Sequence, residues 1–136
     1  MKIIKTTFLI IIIFFSAIEV NALNMLGKTM AQVNEAIKND PSLTHYQYEQ
    51  AQYNKKANIS VRSEKMGALQ SFYFTNNIVD EYVIFAPVIF VNTWVEKLNN
   101  IAVKDGNYRW KDYLRKCVWE LTINDDVMIL AARPLL

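Results

Sequence analysis

The spacing of apolar side chains changes period along the chain, and each change marks an element. Met30, Val33, Ala36 and Ile37 recur on one face of a helix, behind Thr29 and Gln32 in the arrangement of a capping box. Asn39-Asp40-Pro41 ends that helix, because Pro41 has no N–H for the ladder and biases Asp40 away from helical angles; the expected span is 29 to 39. Residues 42 to 56 show no clear period, with Tyr46, Tyr48 and Tyr53 standing among Gln, Glu and Lys, and read as an early edge strand or a loop. From Ala57 the pattern alternates: Ile59 and Val61 against Asn58, Ser60 and Arg62, a turn over Glu64 to Gly67, then Ala68 to Phe74. Asn76-Asn77 is a second turn signal, since Asn tolerates positive φ, and it leads into a third strand from Ile78 to Ala86 that Pro87 closes. The three strands predict an antiparallel meander.

Helical spacing returns after Pro87 in Val91, Trp94, Val95, Leu98, Ile101 and Ala102, with Asp105-Gly106-Asn107 as the stop. The last third alternates again, Cys117, Trp119, Leu121 and Ile123 on one face and Val118, Glu120 and Thr122 on the other. Asn124-Asp125-Asp126 turns the chain into Val127 to Ala132, and Tyr108 to Tyr113 reads as a further short strand or a turn of helix. The order α-βββ-α-ββ(β) predicts an α+β fold: an antiparallel sheet made of a β-meander plus a C-terminal hairpin, with two helices packed on one face.

The first 22 residues follow a different logic. Lys2 and Lys5 form a positive n-region, Phe8 to Phe15 an unbroken apolar run, and Val20-Asn21-Ala22 a small-residue cleavage site, so residues 1 to 22 read as a signal peptide cut between Ala22 and Leu23. The apolar run stops at Ser16, or at Ile18 if Ser16 and Ala17 are tolerated, short of the roughly 20 residues a spanning helix needs. Leu23, not a lipid-bearing Cys, stands first in the mature chain. Residues 23 to 136 are therefore expected as a single small α+β domain, periplasmic or secreted, with no membrane anchor after cleavage. Richness in Ile, Asn and Lys together with the signal points to a bacterial host.

Loss of Lys2, Lys5 and Glu19 with the signal takes the formal net charge from +2 to +1, which gives no strong overall field toward nucleic acid or an anionic membrane. A lone cysteine, Cys117, allows no internal disulfide, so stability must come from packing. Three Gly and three Pro against seven Tyr, seven Phe and three Trp argue for a packed core over disorder.

Leu26-Gly27-Lys28-Thr29 followed by Val33 resembles the Gly-x-Thr-x-x-x-Val opening of the small envelope lipoproteins of the outer-membrane assembly family, and of the β-lactamase-inhibitor-like fold that they share. The resemblance is confined to the first mature helix. It implies a helix preceding an antiparallel sheet, and a domain that works by binding other proteins. The chain departs from that pattern in lacking the lipid-bearing Cys, in carrying Asn-Asp-Pro where the family has Gly-x-Pro, and in placing a tyrosine-rich segment where a second helix would come.

Chemistry-bearing residues are sparse. His45, the only histidine, stands in a polar stretch and reads as a surface residue, while Cys117 reads as a small buried hydrophobe. One His and one Cys cannot make a structural zinc site, and three scattered glycines make no phosphate loop. Asp80 and Glu81 are expected on opposite faces of a strand, Asp125-Asp126 in a turn, and a glycosidase-like pair requires distant residues such as Glu96 and Glu120 to converge. Asn58-Ile59-Ser60 is a glycosylation sequon, meaningful only in a eukaryotic host. No catalytic, metal or cofactor site is expected.

The densest basic and aromatic run is Tyr108 to Lys116. Tyr108, Arg109, Trp110 and Arg115, with Tyr46 and Tyr48, are the candidate partner-binding residues, because Tyr, Trp and Arg are enriched in protein interfaces and aromatics stack on sugars. The competing reading makes the aromatics core and the cations solvated. The leading functional expectation is a non-enzymatic protein-binding or accessory module of the cell envelope, with a glycan as another partner. Its rivals are a small cell-wall or sugar-acting enzyme with dispersed carboxylates and an inhibitor or immunity-type protein.

Overall fold

The computed structural model describes residues 25 to 65 and 67 to 136, so the signal segment and its cleavage site lie outside the described residues. Helix α1, Met30–Lys38, begins as expected: Thr29 Oγ1 accepts from the Gln32 backbone N at 3.2 Å, and Gln32 Oε1 accepts in return from the Thr29 backbone N at 2.9 Å. These reciprocal bonds satisfy donors that a helix start leaves without partners. Strands β1 (Leu43–Glu49), β2 (Ala57–Ser63), β3 (Ala68–Thr75) and β4 (Ile78–Pro87) follow. A short 3₁₀ turn, Val88–Phe90, leads into helix α2, Val91–Ile101. The chain ends in β5 (Val103–Lys104), β6 (Arg109–Asp112), β7 (Cys117–Asn124) and β8 (Val127–Pro134).

All eight strands join one antiparallel sheet in the order β1-β2-β3-β4-β8-β7-β6-β5. The α+β class and the element order agree with the reading of the sequence, and three details refine it. The period-free stretch supplies an edge strand, β1. Helix α2 stops at Ile101, before the Asp-Gly-Asn signal, because Ala102 turns extended and the chain enters β5. Ile123 is half exposed despite its alternation with Leu121.

Register assigns the two faces. Ile59 pairs with Phe72, Phe72 with Tyr82, Tyr82 with Ala132, Ala132 with Trp119, and Trp119 with Trp110, which defines an inner row running across six strands. These residues are buried in one cluster with Val33 of α1 and Trp94 and Leu98 of α2, so both helices cover the same face. Phe72 stacks on Tyr82 with ring centroids 5.1 Å apart, and the Tyr82 hydroxyl donates to Gln70 Oε1 at 3.0 Å, which satisfies a phenol that burial would otherwise penalise.

The strand order reads the same from either edge to the β4–β8 seam, and helix plus four strands occurs twice. The turns match as well. Ser63 pairs with Ala68 as Asp112 pairs with Cys117, and the residues before Ala68 and Cys117, Gly67 (φ 58°) and Lys116 (φ 56°), are both left-handed. Thr75 pairs with Ile78 as Asn124 pairs with Val127, across two-residue turns opened by left-handed Asn76 and Asp125. The domain is thus two copies of one α-β-β-β-β plan about a pseudo-two-fold axis.

Candidate functional site

The structure divides the candidate residues of the sequence between opposite edges of the sheet. Tyr46 and Tyr48 lie on β1, about half exposed, and the Tyr46 hydroxyl donates to Asn34 Oδ1 of α1 at 2.9 Å. Tyr108, Arg109, Trp110 and Arg115 lie on or beside β6, at the far end of the strand order. Trp110 is withdrawn from any surface role: its indole is fully buried on the inner face, and Nε1 donates to Asn99 Oδ1 of α2 at 2.8 Å. Arg115 is the counter-ion of a buried carboxylate. Asp112 has no exposure and accepts from the Arg115 backbone N at 3.0 Å and from Nη1 at 3.1 Å, closing the β6–β7 turn. Tyr108 and Arg109 remain at the surface, Arg109 lying 3.7 Å from Glu120 and 3.8 Å from Asp105.

Among the described residues, the acids and the thiol singled out in the sequence do not converge. Cys117 is buried, and desolvation, then the Asp112 charge, push its thiol up to about 12, away from the thiolate a nucleophile needs. Glu96 lies on α2, over the inner face, whereas Glu120 points from the outer face, so the sheet separates the two acids. Strict alternation fails at Asp80 and Glu81, because a bulge in β4 opposite Tyr73 and Phe74 inserts Asp80. Asp80 Oδ2 accepts from Lys56 Nζ at 2.8 Å and from Thr75 Oγ1 at 2.6 Å, while Glu81 Oε2 accepts from Arg133 Nε at 2.5 Å. Among the described residues, no three His, Cys, Asp or Glu side chains form a group able to hold a metal ion.

What register does assemble is the outer face of the sheet, which neither helix covers. Leu69, Phe85 and Ile129 pair successively across β3, β4 and β8, and beside them Ser71, Val83 and Ala131 form a second row. Leu69 is 38% exposed and Phe85 and Ile129 are partly exposed, so apolar surface runs across the middle of the sheet. Val83 is closed over by its neighbours, yet it stands apart from the cluster that packs under the helices. A ladder of opposite charges borders the strip. Arg133 on β8 lies between Glu81 on β4 and Glu120 on β7, at 2.5 and 3.7 Å, and Glu120 in turn faces Arg109 on β6. The Ser60 and Ser71 hydroxyls, 2.9 Å apart, continue the polar rim toward β2.

This surface is built from residues that the candidate set omitted. Its signal was nevertheless present: Tyr82 to Ala86 and Val127 to Ala132 are unbroken apolar runs, and a strand with one wet face alternates. No protein-family model, no curated protein and no solved structure matches the chain.

Proposed function

We propose that the chain is an exported, non-enzymatic binding module of the bacterial envelope, and that it holds a protein partner on the open face of its sheet. The observation that carries this reading is the apolar strip of Leu69, Phe85 and Ile129 on a face that no described helix covers. An apolar centre with a charged border is how protein interfaces are organised: the centre gains from leaving water, and a rim that stays wet keeps its ions solvated. The paired state of Glu81, Arg133 and Glu120 matters here, because the face presents little net charge and suits another folded surface. Export rests on the signal-like residues 1 to 22.

Site-directed photo-crosslinking in intact host cells tests the assignment. A photo-reactive residue at Leu69 or Val127, both on the open face, is expected to capture one discrete protein, whereas the same residue at Glu35, exposed on α1, captures none. Leu69→Arg should lower the yield from Val127 about tenfold or more, with the circular dichroism spectrum unchanged, since truncating a central anchor costs more than 1 kcal/mol in a typical interface. Capture from Glu35 in place of the sheet positions would reject the open face as the binding surface.

A further inference from the structure

The turn between β6 and β7 projects two apolar side chains into solvent, Tyr113 at 61% and Leu114 at 84% exposure. They border a depression of about 290 Å³ that is also lined by Ile101 and Ala102 at the end of α2 and by Val103 of β5. Lys111 lines the same depression, Arg115 and Lys116 follow Leu114 in the turn, and Lys97 stands one helical turn before Ile101. From residue 96 to residue 116 the sequence carries six Lys or Arg against three carboxylates, Glu96, Asp105 and Asp112. Asp112 is buried beneath Arg115, and Asp105 lies within ion-pair distance of both Arg109 and Lys111. Among the described residues, exposed Lys104 and Lys116 have no such carboxylate in the ion pairs of this corner. Burial, and then the nearby Arg115 guanidinium, lower the Lys97 pKa to about 8.

The geometry points to an anionic lipid surface as the partner of this corner: Tyr113 and Leu114 enter the headgroup layer while Lys111 and Lys116 face the lipid phosphates. A protruding Leu gains by leaving water, a Tyr suits the boundary between apolar and wet layers, and each cation adds attraction to an anionic leaflet. A protein partner fits less well, because lysine is depleted from the centre of protein interfaces and here lysines surround the apolar tip. The mature chain is close to neutral overall, so the attraction is local and acts within about 10 Å at ordinary salt. Among the described residues no helix is long and apolar enough to cross a membrane, and the contact proposed is peripheral.

Co-sedimentation of the mature chain with unilamellar vesicles decides the matter. Binding is expected to vesicles containing phosphatidylglycerol and not to pure phosphatidylcholine, and to fall as salt is raised. Leu114→Ser should weaken it about tenfold and Lys116→Gln about fivefold. Both side chains are exposed, so the fold is retained, which circular dichroism checks. Leu69→Arg, on the open sheet face, leaves vesicle binding unchanged, and Leu114→Ser leaves crosslinking from Val127 unchanged, so this inference and the protein-binding reading fail separately. Equal binding to both lipids, no binding to either, or indifference to Leu114→Ser overturns the assignment.

Discussion

One buried carboxylate of this domain has a local answer. Asp112 takes its two bonds from Arg115, a side chain only three residues away, so a carboxylate without exposure is held by its own turn. That turn also decides the state of Cys117, which pairs with Asp112 across the ladder. Apolar surroundings disfavour the thiolate and the adjacent carboxylate repels it, so the proton stays on sulfur until pH approaches about 12. A thiol reagent at mildly alkaline pH should therefore leave the folded protein unlabelled and modify Cys117 only once denaturant is added, as mass spectrometry would report. Labelling of the native chain at the rate of a free thiol would mean that β7 does not bury this face. Alternation alone placed Cys117 beside Trp119 and Leu121 on the inner side. The fate of Trp110 was less legible: a basic neighbourhood of Arg109 and Lys111 looks like a surface, and only period two separates a buried indole from its exposed flanks.

At the scale of elements, local chemistry was readable where it is local. The capping box of α1, the Asn76-Asn77 turn and the strand at Ala57 follow from neighbours in sequence. The bulge in β4 was not, because the extra residue is defined only against β3. It has an energetic consequence. Burial alone would raise the Asp80 carboxyl, but the Lys56 ammonium and the Thr75 hydroxyl outweigh it and hold the group below its ordinary value of 3.8. A folded-state pKa below the unfolded one adds stability above 3.8 that disappears as pH falls through the folded value. Lys56→Gln should therefore lower the denaturation midpoint at neutral pH, by an amount small for a partly exposed pair, and the difference from the parent should vanish in strong acid. A deficit that persisted unchanged in acid would show that Lys56 stabilises the chain by some route other than Asp80.

At the scale of the molecule, the repeat of helix plus four strands escaped the sequence because the halves share geometry, not residues: Gly67 corresponds to Lys116, Ser63 to Asp112, and Gln70 to Trp119. What the plan leaves behind is a sheet that does not close on itself, with a row of backbone donors and acceptors at either margin. Such rows are templates for fibril growth. One margin is blunted by brevity, since β5 is two residues long. The other, β1, is long enough to recruit a neighbour, and His45 interrupts it with a left-handed backbone (φ 55°) and a register break between Thr44 and Gln47. Without His45, Thr44, Tyr46 and Gln47 would face Arg62, Val61 and Ser60 one to one, and the margin would become straight and regular. Deleting that single histidine should turn a self-limiting domain into one that polymerises: light scattering and thioflavin fluorescence should rise with concentration in the variant and stay flat in the parent. An equally flat response would acquit His45 of that task. A rise in the variant alone would make the only histidine of the chain a stop signal for the sheet, written in backbone angle.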